Sequence, residues 1–300
     1  MVGTMNDTGA VFVDLSTLDL AYAVGRYPQE DTKTRAAGMW LGAGGPAANA
    51  AITHAFLAGP ASRRTILVTA LGQHSLALTI RDDLREHGVE IWDRAEDAVR
   101  RPPVSSIVVT ADTGSRTIVS MDGSESDPVP TDAVDLPDHT GILLVDGHYP
   151  ALALDAARRA TGRIPVVLDG GRWRDDVHRD LLPLTDIAIC STDFRPPGVP
   201  AGDMDALFDF VHAAGPQLVA VTRGGRSIRY SAPGERGEIP APAVEVVDTL
   251  GAGDILHGAF CHFHAKGEAF PAALRHAAEV ATASCRYVGT REWMGRQQMR

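Results

Sequence analysis

Lysine is almost absent from this chain of 300 residues: only Lys33 and Lys266 occur, and neither follows a glycine loop. A phosphate loop of the Gly-x-x-x-x-Gly-Lys-Ser/Thr kind is therefore missing, which excludes a Walker-type nucleotide binder. Cysteine is scarce too. Cys190, Cys261 and Cys285 are far apart and odd in number, which excludes a disulfide framework or a paired-cysteine zinc pattern. A reducing, cytoplasmic setting fits that usage. No apolar run approaches membrane-spanning length, and Met1–Ala10 lacks a basic-then-apolar signal layout, so no membrane partner is expected. Basic charge is short as well: 28 Lys+Arg against 38 Asp+Glu leave a net charge of −10. That excludes a general nucleic-acid binder, whose phosphate partner needs a basic surface. One small anionic ligand stays compatible, because local N–H groups and a metal ion act against the global sign.

What is present is an alternation. Strand-like apolar runs at Val11–Leu15, Thr65–Leu71, Ile142–Asp146, Pro165–Asp169, Asp186–Cys190 and Leu218–Thr222 are separated by helical patterns. The helices are read at Ser75–His87 (Ser75 as N-cap, Gly88 as stop), Ala151–Ala160 and Asp203–Ala213. Strand–helix alternation predicts a mostly parallel sheet with helices on both faces. Two regions break the rhythm. Ala21–Met39 reads as strands joined by a turn, and Val104–Met121 as a hairpin turning at Asp112-Thr113-Gly114. Together they predict a small antiparallel sheet over one end of the parallel one. Without a repeat or a convincing linker, residues 1–300 are expected to form one domain. Arg195–Gly202, with three prolines, reads as a surface loop.

Two glycine clusters carry the chemistry. Asp248-Thr249-Leu250-Gly251-Ala252-Gly253-Asp254 opens a helix predicted over Ile255–Lys266. Unpaired N–H groups at the positive end of a helix dipole bind anions. A carboxylate beside such a site suits a base that takes a hydroxyl proton while the N–H groups hold a phosphoryl group. The second cluster, Gly42 to Asn49, places Pro46 at the first turn of a helix running to about Ala58. Gly44 and Gly45 allow close backbone approach, and the Asn49 amide both donates and accepts, as polyol recognition requires. The cluster also matches a Gly-x-Gly-x-x-Ala dinucleotide pattern, but no acidic residue follows at the required distance. Asp19 follows the first strand, where acidic residues of open α/β sheets face the ligand crevice. Thr222-Arg223-Gly224-Gly225 ends another strand in the same manner. His257, Cys261 and His264 share a helix face at metal-ligand spacing, and semi-polar packing is the preferred reading.

The Asp248–Asp254 segment followed by Gly258-Ala259-Phe260 resembles the C-terminal signature of the ribokinase-like, or PfkB, carbohydrate kinases. Gly44-Gly45-Pro46-Ala47-Ala48-Asn49 resembles their N-terminal signature, and the likeness extends from Val11 to about Gly289. Within the family, Tyr27–Asp31, Pro103–Val108 and Gly114–Ile118 are most similar to the ketohexokinase branch, and Cys190–Phe194 resembles the ketohexokinase and sulfofructose kinase branches. The resemblance implies a three-layer α/β/α sandwich with a discontinuous β lid from about 20–41 and 104–121. It implies Asp254 as base, with Gly251, Ala252 and Gly253 as the anion hole. Asp19, Gly44, Gly45 and Asn49 would bind sugar hydroxyls, Arg116 would reach phosphate or substrate from the lid, and Thr222, Gly224 and Thr249 would lie at the nucleotide. ATP and Mg2+ are the implied cofactors, with a monovalent cation such as K+ left open, and a homodimer through the lid is the implied assembly. Departures exist. Cys190 and Asp193 stand where most members have an Asn-x-x-Glu motif for magnesium and phosphates, so Asp193 is the metal candidate, acting through water. Gly72-Gln73-His74 stands where many members have Gly-Asp-Asp or Gly-x-Asp, and Pro46 stands where ketohexokinases typically have Asn.

The expectation is thus ATP-dependent phosphorylation of a sugar, a ketose such as fructose favoured. A nucleoside kinase and a phosphosugar or sulfosugar kinase, with Arg35 and Arg116 as candidate cations, are the alternatives. A non-catalytic sugar sensor is the alternative of another class.

Overall fold

The computed structural model describes residues 8–60, 65–110, 115–121 and 134–297. In chain order the strands are β1 (Gly9–Val13), β2 (Thr17–Val24), β3 (Gly38–Gly44), β4 (Thr65–Thr69), β5 (Glu90–Asp93), β6 (Val104–Thr110), β7 (Arg116–Ser120), β8 (Thr140–Val145), β9 (Val166–Gly170), β10 (Ile187–Ser191), β11 (Leu218–Thr222), β12 (Ile228–Ala232) and β13 (Glu235–Ile239). The helices are α1 (Pro46–Ala58), α2 (Ser75–Glu86), α3 (Pro150–Ala160), α4 (Asp175–Leu181), α5 (Met204–Ala214), α6 (Ala252–Ala265), α7 (Phe270–Ser284) and α8 (Glu292–Gln297).

Nine strands form one sheet in the order β13-β12-β11-β10-β9-β8-β1-β4-β5. Pairing is parallel from β5 to β11 and antiparallel for β11–β12–β13. The inner strands are buried on both faces, so they read as continuous apolar runs. Alternate residues serve opposite layers: Ala10 and Phe12 pack with α1, α2, α6 and α7, whereas Val11 and Val13 pack with α3, α4 and α5. The chain leaves β1 toward β4 and β5 on one side and returns to β8 on the other. The ends of β1 and β8 are therefore the switch point where open α/β sheets bind ligands.

A second sheet has the order β3-β2-β6-β7. Its two antiparallel pairs, β2–β3 and β6–β7, are joined by a parallel β2–β6 pairing. The register divides it into two faces. Tyr22, Met39, Leu41 and Val119 share one face with Leu20 and Val108, and all four are exposed. The other face carries Asp19, Ala21, Trp40, Ile107, Val109 and Arg116, and its apolar members pack on Leu250.

Most boundaries move by one or two residues, three of the differences bear on the site, and the predicted turn at Asp112-Thr113-Gly114 lies outside the described residues. His74, not Ser75, caps α2, its Nδ1 accepting from Leu76 N at 3.2 Å. Helix α6 begins at Ala252 rather than Ile255, because Gly251 takes a left-handed φ of 68° and supplies the entry turn. β2 starts at Thr17 and β3 ends at Gly44, so Asp19 and Gly44 belong to the small sheet rather than to loops beside the large one. The turn between β1 and β2 is made by Asp14, at φ 119°. Positive φ at a non-glycine residue costs of order 1–3 kcal/mol and needs support from its surroundings. That support is the Asp14 carboxylate, which accepts from the N–H groups of Asp146 (3.1 Å), Tyr149 (3.3 Å) and Gly147.

Candidate active site

The two glycine clusters meet because α1 packs against α6. Helix α1 is alanine-rich, with Ala47, Ala48, Ala50 and Ala51 buried. Gly258 of α6 has no side chain where a Cβ would run into the Ala50 carbonyl. The close approach lets the Asn49 amide nitrogen donate to Asp254 Oδ2 at 2.8 Å.

Neither helix has a side-chain cap of its own. Helix α1 starts at Gly45 (φ 92°) and Pro46, and its Ala47 N–H is taken by Asp146 Oδ2 at 3.1 Å from the end of β8. The same oxygen accepts from Leu15 N at 3.3 Å, and the other from His148 N and Nδ1 at 2.9 Å. Asp146 thus pins the Gly45 turn to the switch point. Helix α6 is different: its first turn stays open. Ala252 N makes a 3.3 Å bond to Thr249 O, while the N–H groups of Gly251, Gly253 and Asp254 have no acceptor among the described residues. Open donors at a helix start favour an anion. Of the expected donors Gly251, Ala252 and Gly253, the first and last are thus open, Ala252 N is engaged by Thr249 O, and Asp254 N is open beside them.

Burial pushes the Asp254 carboxyl up to about 7, Asp169 adding to the rise, Asn49 and His257 opposing it, and Asp19 adding again. Burial also raises Asp169, opposed first by His257, which sits 3.3 Å away. The His257 ring is held by Gly253 O at 2.8 Å and Ile189 O at 3.1 Å, so it braces the α6 entry turn rather than joining Cys261 and His264 around a metal. No group of three potential metal ligands occurs among the described residues.

Asp19 lies on the inner face of the small sheet. Burial raises its carboxyl, while Thr17 (2.5 Å), Ser105 and Arg291 favour its ionised form. Gly44 runs directly against it, and a methyl group there would occupy the place of the carboxylate. Asp19, Gly44, Gly45, Asn49 and Asp254 are therefore brought together where the small sheet meets the starts of α1 and α6. Arg116 donates to Thr249 Oγ1, joining β7 to the loop before α6. Thr222 Oγ1 donates to Cys190 O at 3.3 Å, and Gly224 has φ 62° just beyond β11. Beside these strand ends is a concavity of about 350 Å³ lined by Thr192, Arg195, Arg223, Arg226 and Arg229. Asp193 is exposed and pairs with Arg195 at 3.5 Å. No hydrogen bond or ion pair joins it to the Asn49–Asp254 group among the described residues. Arg35 is exposed.

Four residues of this region lay outside the sequence motifs: Asp146, Asp169, His257 as a brace, and Arg291. The first two had a signal, since each ends an apolar strand run. Arg291 had none.

No helix among the described residues is long and apolar enough to cross a membrane. The chain is 27% identical over 287 residues to ribokinase of Arabidopsis thaliana, covering 91% of this chain and 74% of that protein. It is 25% identical over 301 residues to mouse (Mus musculus) ketohexokinase, covering 94% and 97%. The fold superposes on a structure of Arabidopsis thaliana ribokinase complexed with ribose and ATP with a TM-score of 0.72, covering 94% of each chain at 22% identity. The family model of the pfkB carbohydrate kinases matches residues 7–294. That span includes both glycine clusters, which α1 and α6 bring together, and the chain belongs to the pfkB family of carbohydrate kinases.

Proposed function

We propose that this kinase transfers the γ-phosphoryl group of ATP to a hydroxyl of an uncharged sugar, a ketose such as fructose being the favoured acceptor. The observation that carries the reading is Asp254: a carboxyl pushed up to about 7, on the same helical turn as open N–H groups. A base poised near neutrality is the efficient one for taking a hydroxyl proton, a role worth about 10²–10⁴ in rate. Phosphoryl transfer otherwise asks for positioning and charge stabilisation. In this reading the N–H groups of Gly251, Gly253 and Asp254 hold the transferring group, and Asp19, Gly44, Gly45 and Asn49 hold the acceptor. Thr222, Gly224 and Thr249 face the nucleotide, and the arginine-lined concavity beside Thr222 supports a polyanionic donor in a chain of negative net charge.

An uncharged acceptor fits the charges at the crevice. The buried cation there, Arg291, is faced by Asp83 at 3.6 Å as well as by Asp19 and Asp254. Arg116 is bonded to Thr249. A magnesium ion fits as a passenger on the nucleotide phosphates, since magnesium keeps several waters and needs only one or two carboxylates. Asp193 is the carboxylate proposed to hold it through water. The ion would neutralise charge on the donor phosphates.

The small sheet is proposed as the lid that excludes competing water. Its outer face, with Tyr22, Met39, Leu41 and Val119 exposed as cross-strand neighbours, supports pairing with a second copy of the chain. Light scattering is expected to return a dimer, and a monomeric mass would remove that part.

The deciding experiment is ATP consumption with fructose, ribose, adenosine and fructose 6-phosphate as separate acceptors. Turnover greatest with fructose is expected. Preference for adenosine or for fructose 6-phosphate would replace the acceptor class, and no turnover with any sugar would overturn the reading.

A further inference from the structure

Arg291 lies in the loop between α7 and α8, in neither glycine signature, and its side chain is only 10% exposed. Its Nη1 donates to Asn49 Oδ1 at 3.0 Å and to Thr290 Oγ1 at 2.8 Å, and its Nη2 to Ala43 O at 2.8 Å. Asp83 faces it at 3.6 Å and accepts from Ala43 N at 2.8 Å, so the pair engages both the N–H and the C=O of Ala43. The guanidinium also lies 5.9 Å from the centre of the Trp40 ring.

An asparagine amide has two ends of nearly equal shape, and only its partners decide which way it points. Guanidinium has no acceptor. The end of Asn49 that meets Arg291 must be the oxygen, and the end that meets Asp254 must then be the nitrogen. We propose that Arg291 is a positioning residue of the phosphoryl transfer: it fixes the Asn49 amide so that its nitrogen, and not its oxygen, faces Asp254. The proposal rests on the reading of Asp254 as the base. Without the guanidinium the amide is free to turn. An amide oxygen against the carboxyl favours the protonated form, which is useless as a base.

The charged and titratable groups around the pair are few. Asp254 is faced by Asp169 from β9, Asp19 from β2, His257 from its own helix, and Arg291. Arg291 is faced by Asp83 of α2, by His87 just after that helix, and by Asp19. Loss of its charge alone would also disturb Asp254, so the test must separate charge from orientation.

The test measures kcat/KM against pH for wild type, Arg291→Met, Arg291→Lys, Asn49→Ala and the Asn49→Ala/Arg291→Met double variant, with Asp254→Asn as control and circular dichroism for folding. Arg291→Met is expected to move the acid limb up by about one pH unit and to recover at alkaline pH, with KM for ATP little changed. In the Asn49→Ala background the same change is expected to move the limb by clearly less, the remainder being the effect of charge alone. Arg291→Lys, which keeps the charge but not the planar fork, is expected to show a partial shift and serves if the methionine variant does not fold. An unmoved limb in folded Arg291→Met or Arg291→Lys overturns the proposal. An equal shift in both backgrounds overturns it too, because the effect is then that of charge. Turnover surviving in Asp254→Asn would instead bring down the base assignment itself.

Discussion

The Asn49 amide nitrogen sits 2.8 Å from Asp254 Oδ2, although 205 residues separate the two in sequence. The bond joins the start of α1 to the start of α6. It connects the residue proposed to grip the acceptor with the residue proposed to deprotonate it, so binding and proton transfer share one hydrogen bond.

Replacing Asp254 with Asn keeps the shape and a partner for Asn49 but removes the base. The variant is expected to fold and to lose about 10²–10⁴ in turnover, measured as kcat in a coupled ATP assay. Near-normal rates would end the assignment.

The same substitution has a stability consequence with a definite sign. The folded carboxyl is held up to about 7 against an ordinary 3.8, chiefly by burial. Between those values the native state binds more protons than the unfolded chain, so the group lowers stability progressively as pH rises from about 4 to about 7 and contributes a constant penalty above that. Asp254→Asn is therefore expected to melt higher than wild type at pH 8, by on the order of 1–3 kcal/mol. The gap should close as pH falls toward 4. A gap that grows on acidification would contradict the raised carboxyl.

At Gly44, a methyl group would take the space of the Asp19 carboxylate. Gly44→Ala is expected to displace Asp19 and raise the sugar KM about tenfold or more, the worth of one hydrogen bond to a charged group. KM for ATP should hardly move. Equal changes in both constants would place Asp19 away from the acceptor.

Gly258→Ala tests the helix contact. The added methyl meets the Ala50 carbonyl, which is backbone and has little room to yield. Overpacking of this kind costs about 1–3 kcal/mol, readable as a lowered denaturation midpoint. Since the strain separates α1 from α6, kcat should fall as well. A destabilised enzyme with unchanged kcat would show that the Asn49–Asp254 bond tolerates the wider spacing.

The layered fold was legible because inner parallel strands must be apolar throughout, and the bounds of β11 and α1 follow from runs such as Leu218–Thr222 and from Pro46. The two glycine signatures were legible because their conformations restrict residue type. The strands β12 and β13 lack such a run, since they form an antiparallel edge with exposed positions such as Glu235 and Glu238. Asp146 and Asp169 were visible as strand ends, but nothing local says that a carboxylate will cap a helix from another part of the chain. Arg291 was beyond sequence reading. Its partners on β3, α1 and α2 are set only by the way α7 and α8 return the chain to the crevice.

Asp19 sits on β2, which pairs on one side with β3 and on the other with β6. The backbone that shelters the crevice and the carboxylate that faces into it are therefore a single rigid piece. Any tilt of the small sheet carries Asp19 with it, and an acceptor held by Asp19 as proposed would load the same sheet whose inner face packs on Leu250 and whose Arg116 bonds Thr249. On the proposed function, occupancy of the acceptor position would thus be felt at the roof above it, and a molecule too short to reach Asp19 would leave the roof uninformed.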